Sequence, residues 1–136
     1  MKVLVAGGGM VGGHVAELLV AAGYEVTVVE PREVALARVR RDVPGAVVVA
    51  GSGTSSSVLE AAGVESADIV CAVTGADETN LMIATLAKYE FGVDRVLARV
   101  NDPRNRWLFE TDLGVDLAVN QAELMARLVV QGIQQG

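Results

Sequence analysis

The sequence predicts an α/β fold, a doubly wound sheet of six parallel strands in the order 3-2-1-4-5-6, built as a single domain over residues 1–136. Three observations predict it. Short apolar runs alternate with helix-like segments along the chain. Hydrophobic residues make up 51% of the 136 residues and aromatic ones only 4%, so the core is built from Val, Ala, Leu and Ile, as in strands buried on both faces. The first apolar run ends in a glycine turn that opens a helix. At this length one buried core is expected.

Lys2 to Ala6 reads as the first strand and Val11 to Ala22 as a helix stopped by Gly23. Glu25 to Val29 is the second strand. Pro31 to Arg41 is a helix whose Pro stands where a missing N–H does no harm, with Val34, Ala35, Ala37 and Val39 as its apolar face. Ala46 to Ala50 is a short third strand, followed by the polar turn Gly51 to Ser57, which supplies a helix N-cap, and a helix through Val58 to Gly63. Asp68 to Val73 is the fourth strand, Asp77 to Phe91 a long helix stopped by Gly92, and Val93 to Val100 the fifth strand. Asn101-Asp102-Pro103 opens a short helix through Arg104 to Thr111. Asp116 to Asn120 is the sixth strand, and Gln121 to Gln131 a last amphipathic helix.

The turn after the first strand, Ala6-Gly7-Gly8-Gly9-Met10-Val11-Gly12, carries G-x-G-x-x-G, and an acidic residue, Glu30, closes the second strand eighteen residues after Gly12. This combination is the Rossmann-like nucleotide fingerprint. Gly7 permits the tight turn, Gly9 lets the backbone approach a pyrophosphate, and Gly12 lets the helix pack closely on the strand. The helix start supplies N–H groups and the positive end of its dipole to the phosphates. Glu30 can accept both adenosine ribose hydroxyls and repels a 2′-phosphate, which favours NAD, ATP, ADP or AMP over NADP. Arg32 is a competing signal, since an arginine there receives a 2′-phosphate, stacks on adenine or simply stands exposed. Met10 brings no cation to the turn. Ser52 with Thr54, and Arg99, are further polar groups at the same sheet edge, Arg99 being equally readable as a surface charge.

The formal net charge of −6, with no basic patch, argues against nucleic acid as a partner. No apolar stretch approaches the ~18 to 20 residues of a membrane span, and the chain is expected to be cytoplasmic with no direct membrane insertion. The single cysteine, Cys71, reads as a small buried hydrophobe and His14 as a structural histidine. No Tyr-x-x-x-Lys, G-x-x-x-x-G-K-[ST] or G-x-S-x-G pattern occurs, and the nucleotide fold consumes nearly every residue. Binding without catalysis is the simpler reading; the alternative is the cofactor-binding domain of an NAD-dependent dehydrogenase lacking its substrate domain.

The later segments narrow this further. Val49-Ala50-Gly51-Ser52-Gly53-Thr54 leading to Val58 through Val64, Ala67-Asp68-Ile69-Val70 with Val73-Thr74, Asp77-Glu78-Thr79-Asn80, and Arg99-Val100-Asn101-Asp102-Pro103 with Leu113-Gly114-Val115-Asp116 stand in an order that resembles the RCK or KTN family, the TrkA N-terminal domain. The resemblance implies a cytoplasmic nucleotide-binding regulatory subunit or domain of a potassium channel or Trk/Ktr-type potassium transporter. Such a domain would sit beneath a membrane-embedded partner, assemble as dimers and higher rings, and change shape with bound NAD(H) or ATP, ADP or AMP. It places Gly7, Gly9 and Gly12, with Met10 and Val11, at the phosphates and Glu30 at the ribose. Ser52, Gly53 and Thr54 with Val73, Thr74 and Gly75 would line the nucleoside sides, with Arg99 near the phosphates. Many members have Arg at the position of Met10 and Gly-Asp at Gly51-Ser52. The family's smaller C-terminal ligand-binding domain would follow the last helix, which, with Leu124, Met125, Leu128, Val129 and Ile133 on one stripe, is expected to form a dimer contact over residues 121–136.

Overall fold

The structure, a computed structural model, describes residues 1–135, with side chains described through Ile133. The chain runs β1 (Lys2–Ala6), α1 (Met10–Ala21), β2 (Glu25–Glu30), α2 (Glu33–Asp42), β3 (Val47–Ala50), α3 (Ser56–Ala61), β4 (Ile69–Ala72), α4 (Asp77–Thr85), β5 (Arg95–Arg99), α5 (Arg106–Phe109), β6 (Leu117–Val119) and α6 (Gln121–Gln135). Single 3₁₀ turns stand at Val64–Ser66 and Pro103–Asn105. The six strands form one sheet in the order β3-β2-β1-β4-β5-β6, every neighbouring pair parallel. This is the expected Rossmann-like architecture. β1 lies between β2 and β4, with Leu4 opposite Thr27 on one side and Val70 on the other.

Alternation along the strands divides the core in two. Leu4, Ala6, Val70, Ala72, Val96 and Ala98 face a layer that includes Leu59 of α3, Ile83 and Ala84 of α4 and Phe109 of α5. Val3, Val5, Val26, Val28 and Cys71 face Ala16 of α1 and Val39 of α2. The strands β1, β2 and β4 are thus apolar on both sides, which is why their runs read as continuous rather than alternating. Cys71 is buried, and burial pushes its thiol up to about 11, the behaviour of an inert small hydrophobe.

Several boundaries differ from the sequence reading. α2 buries Ala35, Leu36 and Val39 while Val34 is exposed, so its inward face is turned by one residue from the expected one. The long fourth helix is α only to Thr85 and then makes a π turn over Leu86–Glu90, closed by Phe91 N–H donating to the Leu86 carbonyl at 3.2 Å. Within that turn Lys88 Nζ reaches the Asp94 carbonyl at 3.0 Å and the Asp116 carboxylate at 2.7 Å, tying α4 to the entry of β6. Helix α6 runs four residues further than expected. Asn120 caps it: its Oδ1 accepts from Glu123 N–H at 3.0 Å while its Nδ2 donates to the Val100 carbonyl at 2.8 Å. Arg106 Nε on α5 pairs with Glu123 Oε2 at 2.7 Å. Beyond this root Leu124, Met125, Leu128, Val129, Val130 and Ile133 are all exposed.

Candidate nucleotide-binding site

The chain leaves β1 toward one face of the sheet and β4 toward the other, so a crevice opens above the carboxyl ends of these neighbours. It is a cleft of about 560 Å³, within the range of small-ligand sites. Gly7, Gly9, Met10, Val11, Glu30, Arg32, Ser52, Gly53, Val73, Thr74, Gly75 and Arg99 line it, all singled out by the sequence. Val29, Pro31, Ala76, Thr79 and Ile83 complete the lining and were not anticipated. Gly12 and Thr54 stand outside it.

The reason for Gly12 is packing. A Cβ there would overlap the Gly7 carbonyl oxygen, so only glycine lets α1 start directly against the turn. Gly12 therefore shapes the glycine turn from behind, outside the cleft lining. Gly8, the residue the motif leaves free, is constrained more mildly: a Cβ would meet Glu30 Cβ and Cγ at 3.1 Å and Val39 at 3.2 Å. The N-cap of α1 is Gly9, with no side-chain cap and no acidic residue in the first turn. The first-turn N–H groups and the positive helix end are thus presented to the cleft. Met10 is exposed at its rim.

Glu30 is only 2% exposed and fully hydrogen-bonded. Its Oε1 accepts from Gly8 N–H at 2.9 Å and Arg32 Nη2 at 3.0 Å; its Oε2 accepts from Arg32 N–H at 2.7 Å and Arg32 Nε at 3.1 Å. Burial pushes the carboxyl up, but the Arg32 side chain and the two backbone N–H groups outweigh it and hold the carboxyl below its ordinary value. Arg32, whose side chain stays largely exposed, thus grips the acid expected to read the ribose. Neighbours two apart at a strand end gave no sequence sign of this pairing.

On the opposite wall Ser52 Oγ lies 2.7 Å from Thr54 Oγ1 and accepts from Thr54 N–H at 3.2 Å, so Thr54 acts by fixing Ser52. Thr74 is fixed from below by Asn80, which is completely buried on α4. Asn80 Nδ2 also donates to the Thr74 and Arg99 carbonyls at 3.1 and 2.9 Å. Asp77, one turn earlier, accepts from Asn101 N–H, Asp102 N–H and Asn105 Nδ2 at 2.6, 3.0 and 2.8 Å. Sequence reasoning gave these two residues no role; polar residues at i and i+3 just after a strand end were the available signal. Arg99 makes no ion pair among the described residues, so its charge faces the cleft uncompensated. His14 lies on the exposed side of α1, 3.7 Å from Glu17.

The family model of the TrkA-N domain matches residues 3–121. The chain belongs to the TrkA-N family. It is 42% identical over 136 residues to the Trk system potassium uptake protein TrkA of Mycobacterium tuberculosis (strain CDC 1551 / Oshkosh), covering all of this chain and 61% of that protein. Among solved structures it resembles the GsuK RCK domain, with a TM-score of 0.79 and 25% identity over 94% of this chain and 27% of that one. GsuK has also been solved bound to NAD and to ADP, at 19% and 23% identity and TM-scores of 0.71 and 0.75, a likeness of fold. The Shewanella denitrificans Kef CTD in AMP-bound form matches with a TM-score of 0.71 and 25% identity over 99% of this chain and 81% of that one. This TrkA-N chain thus spans about three fifths of the length of its mycobacterial relative. The dehydrogenase alternative gains no support from these relatives. Among the described residues no helix is long and apolar enough to cross a membrane.

Proposed function

We propose that this TrkA-N chain binds an adenine nucleotide or NAD(H) in the cleft above β1 and β4 and serves as the regulatory domain of a potassium transporter or channel. The observation that carries the reading is the phosphate cradle: an uncapped twelve-residue helix seated directly on the Gly7 carbonyl through Gly12, opening into a cleft of nucleotide size. Potassium transport as the setting rests on the 42% identity to TrkA, and an adenine nucleotide on the AMP-bound Kef neighbour. The regulatory, non-enzymatic role fits the chemistry of the lining. Glu30 has no free lone pair, Ser52 is engaged by Thr54, and Thr74 by Asn80, which leaves groups that bind rather than groups poised to move a proton.

The partner is a membrane-embedded potassium transport subunit, met from the cytoplasmic side. Self-association runs through α6, whose stripe from Leu124 to Ile133 is exposed among the described residues. A nucleotide then regulates by binding one arrangement of the assembled domains better than another, and shifts the population by no more than that difference in affinity. Isothermal titration of the purified chain with NAD, NADH, ATP, ADP and AMP tests the reading. Binding of at least one, abolished by Gly12→Val, is expected; an absence of binding to all five overturns it.

A further inference from the structure

The Glu30 carboxylate is saturated before any ligand arrives. An ionised carboxylate offers about four lone-pair sites, and all are used in this chain. Two donors, the N–H groups of Gly8 and Arg32, belong to the backbone and are fixed by the fold. The other two, Arg32 Nε and Nη2, belong to a side chain that is 65% exposed, while that of Glu30 is 2% exposed. The guanidinium also lies along the phosphate turn, its Nη2 3.4 Å from where a Cβ on Gly9 would stand. A vicinal diol needs two acceptor sites, and only those held by the guanidinium can be vacated without disturbing the fold.

We propose that Arg32 is a specificity-determining side chain that closes Glu30 against the ribose diol, so that the diol is read only after the guanidinium swings off the carboxylate. This rests on the nucleotide-binding reading above and concerns how that same site chooses. The diol exchanges hydrogen bonds with Glu30 for those Arg32 already makes, so the site gains little from the ribose and most of its hold comes from the phosphate cradle. A side chain two residues from the acid therefore sets how strongly the site distinguishes ribose from its deoxy forms. With most of the side chain already exposed, the guanidinium can be taken up by water once it leaves the carboxylate.

The test is a ratio of affinities. The parent chain, Arg32→Ala and Arg32→Lys are titrated with AMP and 2′,3′-dideoxy-AMP, and with ADP and 2′,3′-dideoxy-ADP. Comparing each nucleotide with its own dideoxy form cancels any general effect of the lost positive charge on phosphate binding. In the parent the two forms are expected to bind within about fivefold of each other. In Arg32→Ala the preference for the diol should rise at least about two- to fivefold, the range of a surface ion pair being a lower bound because Glu30 is buried. Arg32→Lys, which keeps the charge but cannot make the two-pronged contact, should move the ratio in the same direction. An unchanged or reduced ratio in Arg32→Ala overturns the proposal, as does a parent that binds AMP or ADP while failing to bind the dideoxy forms, because the diol would then be read without hindrance. A parent that binds none of the four overturns the nucleotide reading itself, a separate outcome.

Discussion

Asn80 and Thr74 are joined three times: Asn80 Oδ1 accepts from the Thr74 N–H at 2.8 Å and its hydroxyl at 2.7 Å, and Asn80 Nδ2 donates to the Thr74 carbonyl at 3.1 Å. A helix side chain with no solvent exposure thus takes over the backbone groups released where β4 ends. Asn80→Ala leaves these groups, and the Arg99 carbonyl, without their partner. It is expected to cost about 2 to 4 kcal/mol in urea unfolding. A loss below about 0.5 kcal/mol, the range of a neutral surface change, would contradict the role given to it.

Asp77 carries the acid sensitivity of the same loops. Burial alone pushes its carboxyl up, but the Asn105 side chain, the Asn101 and Asp102 N–H groups and the Asn101 side chain together hold it below its ordinary value. The folded carboxyl is therefore the stronger acid. Its contribution is complete above the unfolded value of about 3.9 and is lost as the pH falls through the lower folded value. Unfolding free energies measured from pH 7 down to pH 3 should decline in the acid range. Asp77→Asn should start lower at pH 7 and fall less steeply, since its amide cannot accept at both positions.

The glycines of α1 separate packing from propensity. Gly12→Ala drives a methyl group into the Gly7 carbonyl and should both destabilise the fold and weaken nucleotide binding. A methyl group added at Gly13 would meet nothing within 4 Å, and the residue lies inside the helix, so Gly13→Ala should raise stability by up to about 1 kcal/mol. Thermal melts of the two variants check this directly, and equal effects would refute the distinction.

Leu128 sits in the exposed stripe of α6, and Leu128→Asp places a charge in its middle. Light scattering should show a smaller assembly for the variant at the same concentration, with an unchanged melting temperature for the dissociated chain. An unchanged assembly would rule out this face as the contact.

The sheet was legible because its central strands are apolar on both faces and its crossovers are punctuated by glycines or capping residues. Gly7, Gly9 and Glu30 were legible because one motif fixes their spacing. The pairing of Glu30 with Arg32 was not, since it depends on which way a flexible side chain turns at a strand end. Asp77 and Asn80 were hidden for another reason. Near a helix start, polar residues look like surface, and only the tertiary fold shows that their face is turned inward against two strand ends. The π turn at Leu86–Glu90 left no mark either, because one turn at a helix end is too short to show a change of period in the apolar pattern.

The buried amides have a mechanical consequence. Thr74 in the cleft is fastened to Asn80, Asn80 to the Arg99 carbonyl, and the next residue's carbonyl, that of Val100, to Asn120 at the root of α6. Cleft floor and helix root are therefore joined by a run of hydrogen bonds spanning β4, β5 and β6. Any force on the exposed residues of α6 would reach Asn120 first, and through it the bonds that hold Thr74 in the cleft.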